Sequence, residues 1–134
     1  MSGVEHAREM IILAQRDFKA LQGMLDAETF ADEIFGFHAQ QAVEKALKAW
    51  LSLIGVEYPR THDLEELLEL LEEQVEPILE AFYDLVDLTD FAVQFRYRIF
   101  EDAEGRLNRG AMIRQVSDLV VHVETLVREA EQAE

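Results

Sequence analysis

Apolar residues recur at spacings of three and four over most of the chain, and no stretch alternates with period two. That is the patterning of helices packed on a shared core, with no sheet. The clearest case lies between about Phe30 and Ile54. Phe35, Ala39, Ala42, Ala46, Leu47, Trp50 and Ile54 form one apolar stripe there. A second, polar stripe holds His38, Gln41, Lys45 and Lys48 on another face of the same helix. Gly55 suits the position just past a helix end, and Pro59 prevents continuation. Thr61 or Asp63 can cap the next helix, and Asp63 with Glu66 has capping-box spacing.

The other elements follow in the same way. A first helix is expected from Val4 to about Gly23, with Ala7, Ile11, Ala14, Phe18 and Leu21 as its seam. Residues 26–29 form a connector. A third helix is expected from Leu64 to Glu73, with Leu64, Leu67, Leu68 and Leu71 inward and glutamates on the other side. Pro77 fits the first turn of a fourth helix. It carries Ile78, Phe82, Leu85, Val86, Thr89 and Val93 and reaches about Gln94 or Tyr97, with a bend near Thr89-Asp90. Residues 98–107 lack a period and read as a loop. Asn108 can cap a fifth helix, with Ile113, Val116, Val120, Val123 and Val127 on one seam and Met112, Leu119 and Leu126 beside it. With 134 residues, no internal repeat and no linker, the expectation is one all-α domain, an antiparallel bundle of about five helices.

Composition narrows the chemistry. The absence of cysteine excludes disulfides, zinc–thiolate sites and thiol nucleophiles. No 18-residue apolar run and no signal-like N-terminus is seen, which leads to the expectation of a soluble, cytoplasmic protein without a membrane span. The net charge of −16 speaks against general nucleic-acid binding. The charge is uneven, however. Residues 57–90 hold twelve acids and one base, Arg60, whereas residues 96–114 hold five bases and three acids. One end is therefore expected to be locally basic. Asp84, Asp87 and Asp90 lie three apart, but with no loop to wrap a cation they read as solvent-facing, and no metal is expected.

The segment from His38 through Gln41 to Glu44-Lys45 and Leu47-Lys48-Ala49, then Thr61-His62-Asp63-Leu64, then Arg96-Tyr97 after an apolar helix, resembles the HEPN family. These small helical domains occur beside minimal nucleotidyltransferases. The resemblance implies contact with nucleotide or RNA, a homodimer, and a minimal nucleotidyltransferase partner in a toxin–antitoxin-like pair. Many family members are metal-independent endoribonucleases with an Arg-x4–6-His motif. In those relatives the histidine moves a proton and the arginine stabilises phosphorane charge. The motif is absent. The positions where His38, His62 and His122 would need an arginine hold other residues, and His6 has none upstream. Arg114 misses His122 by one residue, an offset that turns the two side chains roughly 80° apart on a helix.

The resulting expectation is a domain without its own catalysis and without a cofactor. Its candidate ligand contacts are His38, Gln41, Lys45, His62, Arg96 and Tyr97. Lys45 and Arg96 would face phosphate, His38 and Gln41 would hydrogen-bond, and Tyr97 would stack. Each has a structural counterpart: a polar network fixing helix register with Lys45 on an acid of another helix, a turn role for His62, a rim role for Tyr97. Two further readings stay open: a ribonuclease toxin using His38 or His62, and a structural adaptor with no ligand.

Overall fold

The computed structural model describes residues 3–75, 78, 80–86 and 106–133. Five helices lie among them: α1 Gly3–Gln22, α2 Asp32–Leu53, α3 Leu64–Glu72, α4 Glu80–Tyr83 and α5 Arg109–Ala133. No strand occurs among the described residues. The all-α expectation holds.

Side-chain pairs fix the directions of the three long helices. Arg8 meets Glu131, Gln15 meets Glu124, and Arg109 reaches the Met24 carbonyl, so α1 and α5 are antiparallel. Asp17 meets Lys45 while Gly3 lies against Ser52, so α1 and α2 are antiparallel too. At Gly3 a Cβ would stand 2.2 Å from the Ser52 carbonyl oxygen, so only glycine permits this contact. α3 packs on α2, and α4 on α5.

The core follows the apolar stripes. Ala7, Ile11, Ala14 and Leu21 of α1 are buried against Phe35, Ala39, Ala42, Ala46, Leu47 and Trp50 of α2 and Val116, Val120, Val123 and Val127 of α5. Ile54 leaves the stripe and is 37% exposed, because the helix ends at Leu53 and the chain turns away. Alone, the nine residues of α3 would be marginal. Burial of Leu64, Leu67, Leu68 and Leu71 holds the helix, each worth about 1.5–3 kcal/mol.

Local signals set the helix ends. Gly55 has φ +80°, and the N–H groups of Gly55 and Val56 donate to the Ser52 and Leu51 carbonyls, a Schellman closure of α2. The Asp63 carboxylate accepts from the Glu65 and Glu66 N–H groups, and Asn108 Oδ1 accepts from the Ala111 N–H. The bond from the Glu66 N–H is one half of the expected capping box; for the other half, the Asp63 N–H donates to Thr61 Oγ1. Asp63→Ala is expected to lower stability by about 1 kcal/mol, with Asp63→Asn close to wild type, in urea unfolding. Between α1 and α2, the Thr29 hydroxyl and the Glu28 N–H hold the Asp26 carboxyl below its ordinary value.

Of the expected fourth helix, Glu80–Tyr83 is helical and a tighter turn follows at 84–86, with Phe82 and Leu85 buried. Ile78 is buried but not helical; the rest of that helix, the bend at Thr89-Asp90, residues 98–105 of the loop expected over 98–107, Asp87, Asp90, and the site candidates Arg96 and Tyr97 lie outside the described residues.

Candidate functional site

The polar side of α2 resolves into two clusters. The first faces α1. The Lys45 ammonium donates to Asp17 Oδ2, and His38 Nδ1 lies 3.6 Å from Asp17 Oδ1. That separation is too long for a hydrogen bond, and His38 Nδ1, shielded from solvent, makes no hydrogen bond among the described residues. Gln41 is half-buried on the same face. Asp17 therefore neutralises the cation and holds the cluster as a contact between helices.

The second cluster faces the α2–α3 loop and is built on Glu44, whose side chain is 6% exposed. Its two oxygens have different partners. Oε2 accepts from Lys48 Nζ at 3.0 Å, one helical turn on, and Oε1 meets His62 Nδ1 at 2.9 Å. Gln40, one turn before Glu44, donates from Nε2 to the His62 carbonyl at 3.4 Å. Farther along the loop, Lys48 Nζ lies 5.6 Å from the centre of the Tyr58 ring, and the Tyr58 hydroxyl is 2.8 Å from His6 Nε2. The loop is thus fastened to both α1 and α2.

His62 is held yet open, with its side chain 79% exposed. A carboxylate only accepts, so the proton of the neutral ring sits on Nδ1 and Nε2 remains as an acceptor towards solvent. This is a tautomerically defined imidazole on the surface, backed by a buried carboxylate.

Among the expected ligand residues, the structure gathers His38 and Lys45 about Asp17 and places His62 in the second cluster. Asp17 and Glu44 were not among the expected site residues, although each decides what its neighbours can do. The repeat Gln40, Glu44, Lys48 at intervals of four was the available signal for Glu44. For Asp17 there was none, since its partner lies 28 residues away.

His122 stands between aromatic rings, 4.9 Å from Trp50 and 5.7 Å from Phe82. Arg114 lines a different pocket, on the α1 side of α5, so these two do not assemble as a catalytic pair. Among the described residues no three or more His, Asp or Glu gather in a metal-binding geometry, and no helix is long and apolar enough to cross a membrane.

A family model described as HEPN domain matches residues 7–133. No curated protein and no solved structure matches the chain.

Proposed function

The chain belongs to the HEPN domain family, and on that premise we propose that it contacts nucleotide or RNA as the non-catalytic member of a toxin–antitoxin-like pair with a minimal nucleotidyltransferase. The family gives the coarse statement, a helical domain of nucleotide- or RNA-related type. The pairing, the homodimer and the absence of catalysis are our reading.

One observation carries it: the exposed His62 ring, oriented by buried Glu44. A fixed imidazole at the surface offers a directed hydrogen bond to a ribose hydroxyl or phosphate at little entropic cost. Lys45 and His38 would join such a contact only by leaving Asp17, and Arg96 and Tyr97 would add charge and a stacking face. Exposed apolar side chains at Leu25, Ile34 and Phe37, and singly at Leu13 and Val121, support a second copy as partner.

The test is titration of a nucleoside triphosphate and of a short RNA against wild type, His62→Ala and Lys45→Ala/Arg96→Ala. His62→Ala is expected to weaken binding several-fold, in line with loss of one hydrogen bond of about 0.5–1.5 kcal/mol. Equal binding by all three proteins, or none by any, removes the reading.

The Glu44–His62 pair also favours a second reading. A carboxylate-backed imidazole is suited to accept a proton from a ribose 2′-hydroxyl. Metal-independent RNA cleavage by the pure protein, abolished by His62→Ala, would select a ribonuclease using a histidine outside the usual motif.

A further inference from the structure

A cavity of about 400 Å³ opens where the end of α2 meets α4 and α5. Trp50 and Leu53 line it from α2, Phe82 from α4, and His122 and Leu126 from α5. None of these residues belongs to either polar cluster of α2. The volume falls in the range of small-ligand sites, roughly 300–1,000 Å³.

The lining excludes most classes of ligand. Among the described residues it holds no Lys, Arg, Asp or Glu, in a chain where 30% of residues are charged. The cavities beside α1 differ in this respect. One has Arg114 and Asp118 in its wall, the other Arg8, Glu124 and Arg128. A charged ligand would lose hydration between α2, α4 and α5 and gain no counter-charge. A phosphate or a nucleotide therefore does not fit. Of the lining residues only Ile54 is an exposed large apolar side chain, too small an apolar rim for a protein partner.

Two polar groups in this apolar wall lack a protein partner. Trp50 is only 4% exposed, yet its Nε1–H donates no hydrogen bond among the described residues. A buried indole N–H ordinarily finds an acceptor. Unlike His38 Nδ1 and Gln115 Oε1, it is not sealed from solvent, so an incoming acceptor can reach it. The half-buried His122 touches Trp50 and Phe82 through its ring and makes no hydrogen bond among the described residues. It stands three residues after Leu119 and four before Leu126, in a seam where packing alone asks for an apolar side chain.

We propose that this cavity binds a neutral aromatic molecule of one or two rings that carries a hydroxyl. The hydroxyl oxygen accepts from Trp50 Nε1–H, and its O–H donates to a ring nitrogen of His122. The rings of Trp50, Phe82 and His122 meet at steep angles with centroids 4.9, 5.7 and 6.2 Å apart, an arrangement that a further ring extends. An aliphatic alcohol would forgo those ring contacts. A hydrocarbon of the same shape would bury both polar groups unpaired.

The experiment is proton–nitrogen NMR of the full chain, titrated with 2-naphthol, 2-methylnaphthalene and 2-naphthoate. The three share a ring system and differ in carrying a hydroxyl, a methyl or a carboxylate. The chain has one tryptophan, so the Trp50 indole N–H gives a single signal from the cavity wall. Wild type, His122→Phe, Leu126→Phe and Val121→Ala are compared, each checked for a native melting curve. 2-Naphthol is expected to move the Trp50 signal saturably, and 2-methylnaphthalene to bind about tenfold more weakly. 2-Naphthoate should leave the signal in place. His122→Phe keeps a ring but no hydrogen bond and should narrow the difference between the alcohol and the hydrocarbon. Leu126→Phe reduces the space and should weaken both, while Val121→Ala, outside the cavity, should behave as wild type. No saturable shift with 2-naphthol overturns the proposal. So does equal binding of the alcohol and the hydrocarbon by wild type, or 2-naphthol binding that neither His122→Phe nor Leu126→Phe alters. The nucleotide-contacting reading stands or falls separately, on His62.

Discussion

Arg109→Ala is expected to destabilise the protein by about 3 kcal/mol, lowering the melting temperature by roughly 10 °C for a domain of this size. The residue opens α5 and is only 5% exposed. Its guanidinium donates to the Met24 carbonyl at 2.7 Å, the Phe30 carbonyl at 2.6 Å and Asp32 Oδ1 at 2.9 Å, and stands 4.8 Å from the centre of the Phe35 ring. These contacts tie both ends of the α1–α2 connector to α5. Alanine leaves two carbonyls without this donor and removes the cation from the Phe35 face, each worth about 1 kcal/mol. Asp32 is partly exposed and stays hydrated, which keeps the loss below that of a fully buried ion pair. Arg109→Lys should recover little, because one ammonium on a flexible stem cannot span three acceptors. A melting temperature within a few degrees of wild type for Arg109→Ala would refute this account.

Glu44→Leu should cost about 2–3 kcal/mol, since it leaves the Lys48 ammonium largely buried without its counter-charge. Glu44→Leu/Lys48→Met removes both charges and should recover most of that loss, because a hydrophobic pair replaces a desolvated one. Stability alone would not separate the two partners of Glu44, but the tautomer of His62 does. With Glu44 present the neutral ring carries its proton on Nδ1, and without it the two tautomers should mix. Nitrogen NMR of the imidazole reads this directly. An unchanged tautomer in Glu44→Leu would mean that Glu44 does not orient the ring.

The fold was legible because helix periodicity is a local signal. The α2 stripe from Phe35 to Trp50, Leu64, Leu67, Leu68 and Leu71 of α3, and Val116, Val120, Val123 and Val127 of α5 were each recognisable from their own spacing, and all are buried. Gly55, Asp63 and Asn108 were legible as end signals, since each acts on residues within three or four positions. The site was less so. His38, Gln41 and Lys45 were correctly placed on one face, but that Asp17 faces two of them depends on how α1 rotates against α2. Arg109 followed a predicted cap and carried no separate signal, because its acceptors lie 77 to 85 residues away. Asp63 with Glu66 had the spacing of a capping box, and Thr61 took the Asp63 N–H in place of the Glu66 side chain, which spacing alone does not decide.

The fastening of the α2–α3 loop has a kinetic corollary. His6 at the start of α1 holds Tyr58, while Glu44 and Gln40 hold His62 four residues on. A surface loop usually opens by itself, in fast local excursions that expose its amides to exchange. This one cannot release Tyr58 without breaking a contact to a helix that lies 52 residues earlier in the chain. The loop and the first turns of α1 therefore form one cooperative opening unit, and the lifetime of the closed His62 geometry is set by α1 as much as by the loop.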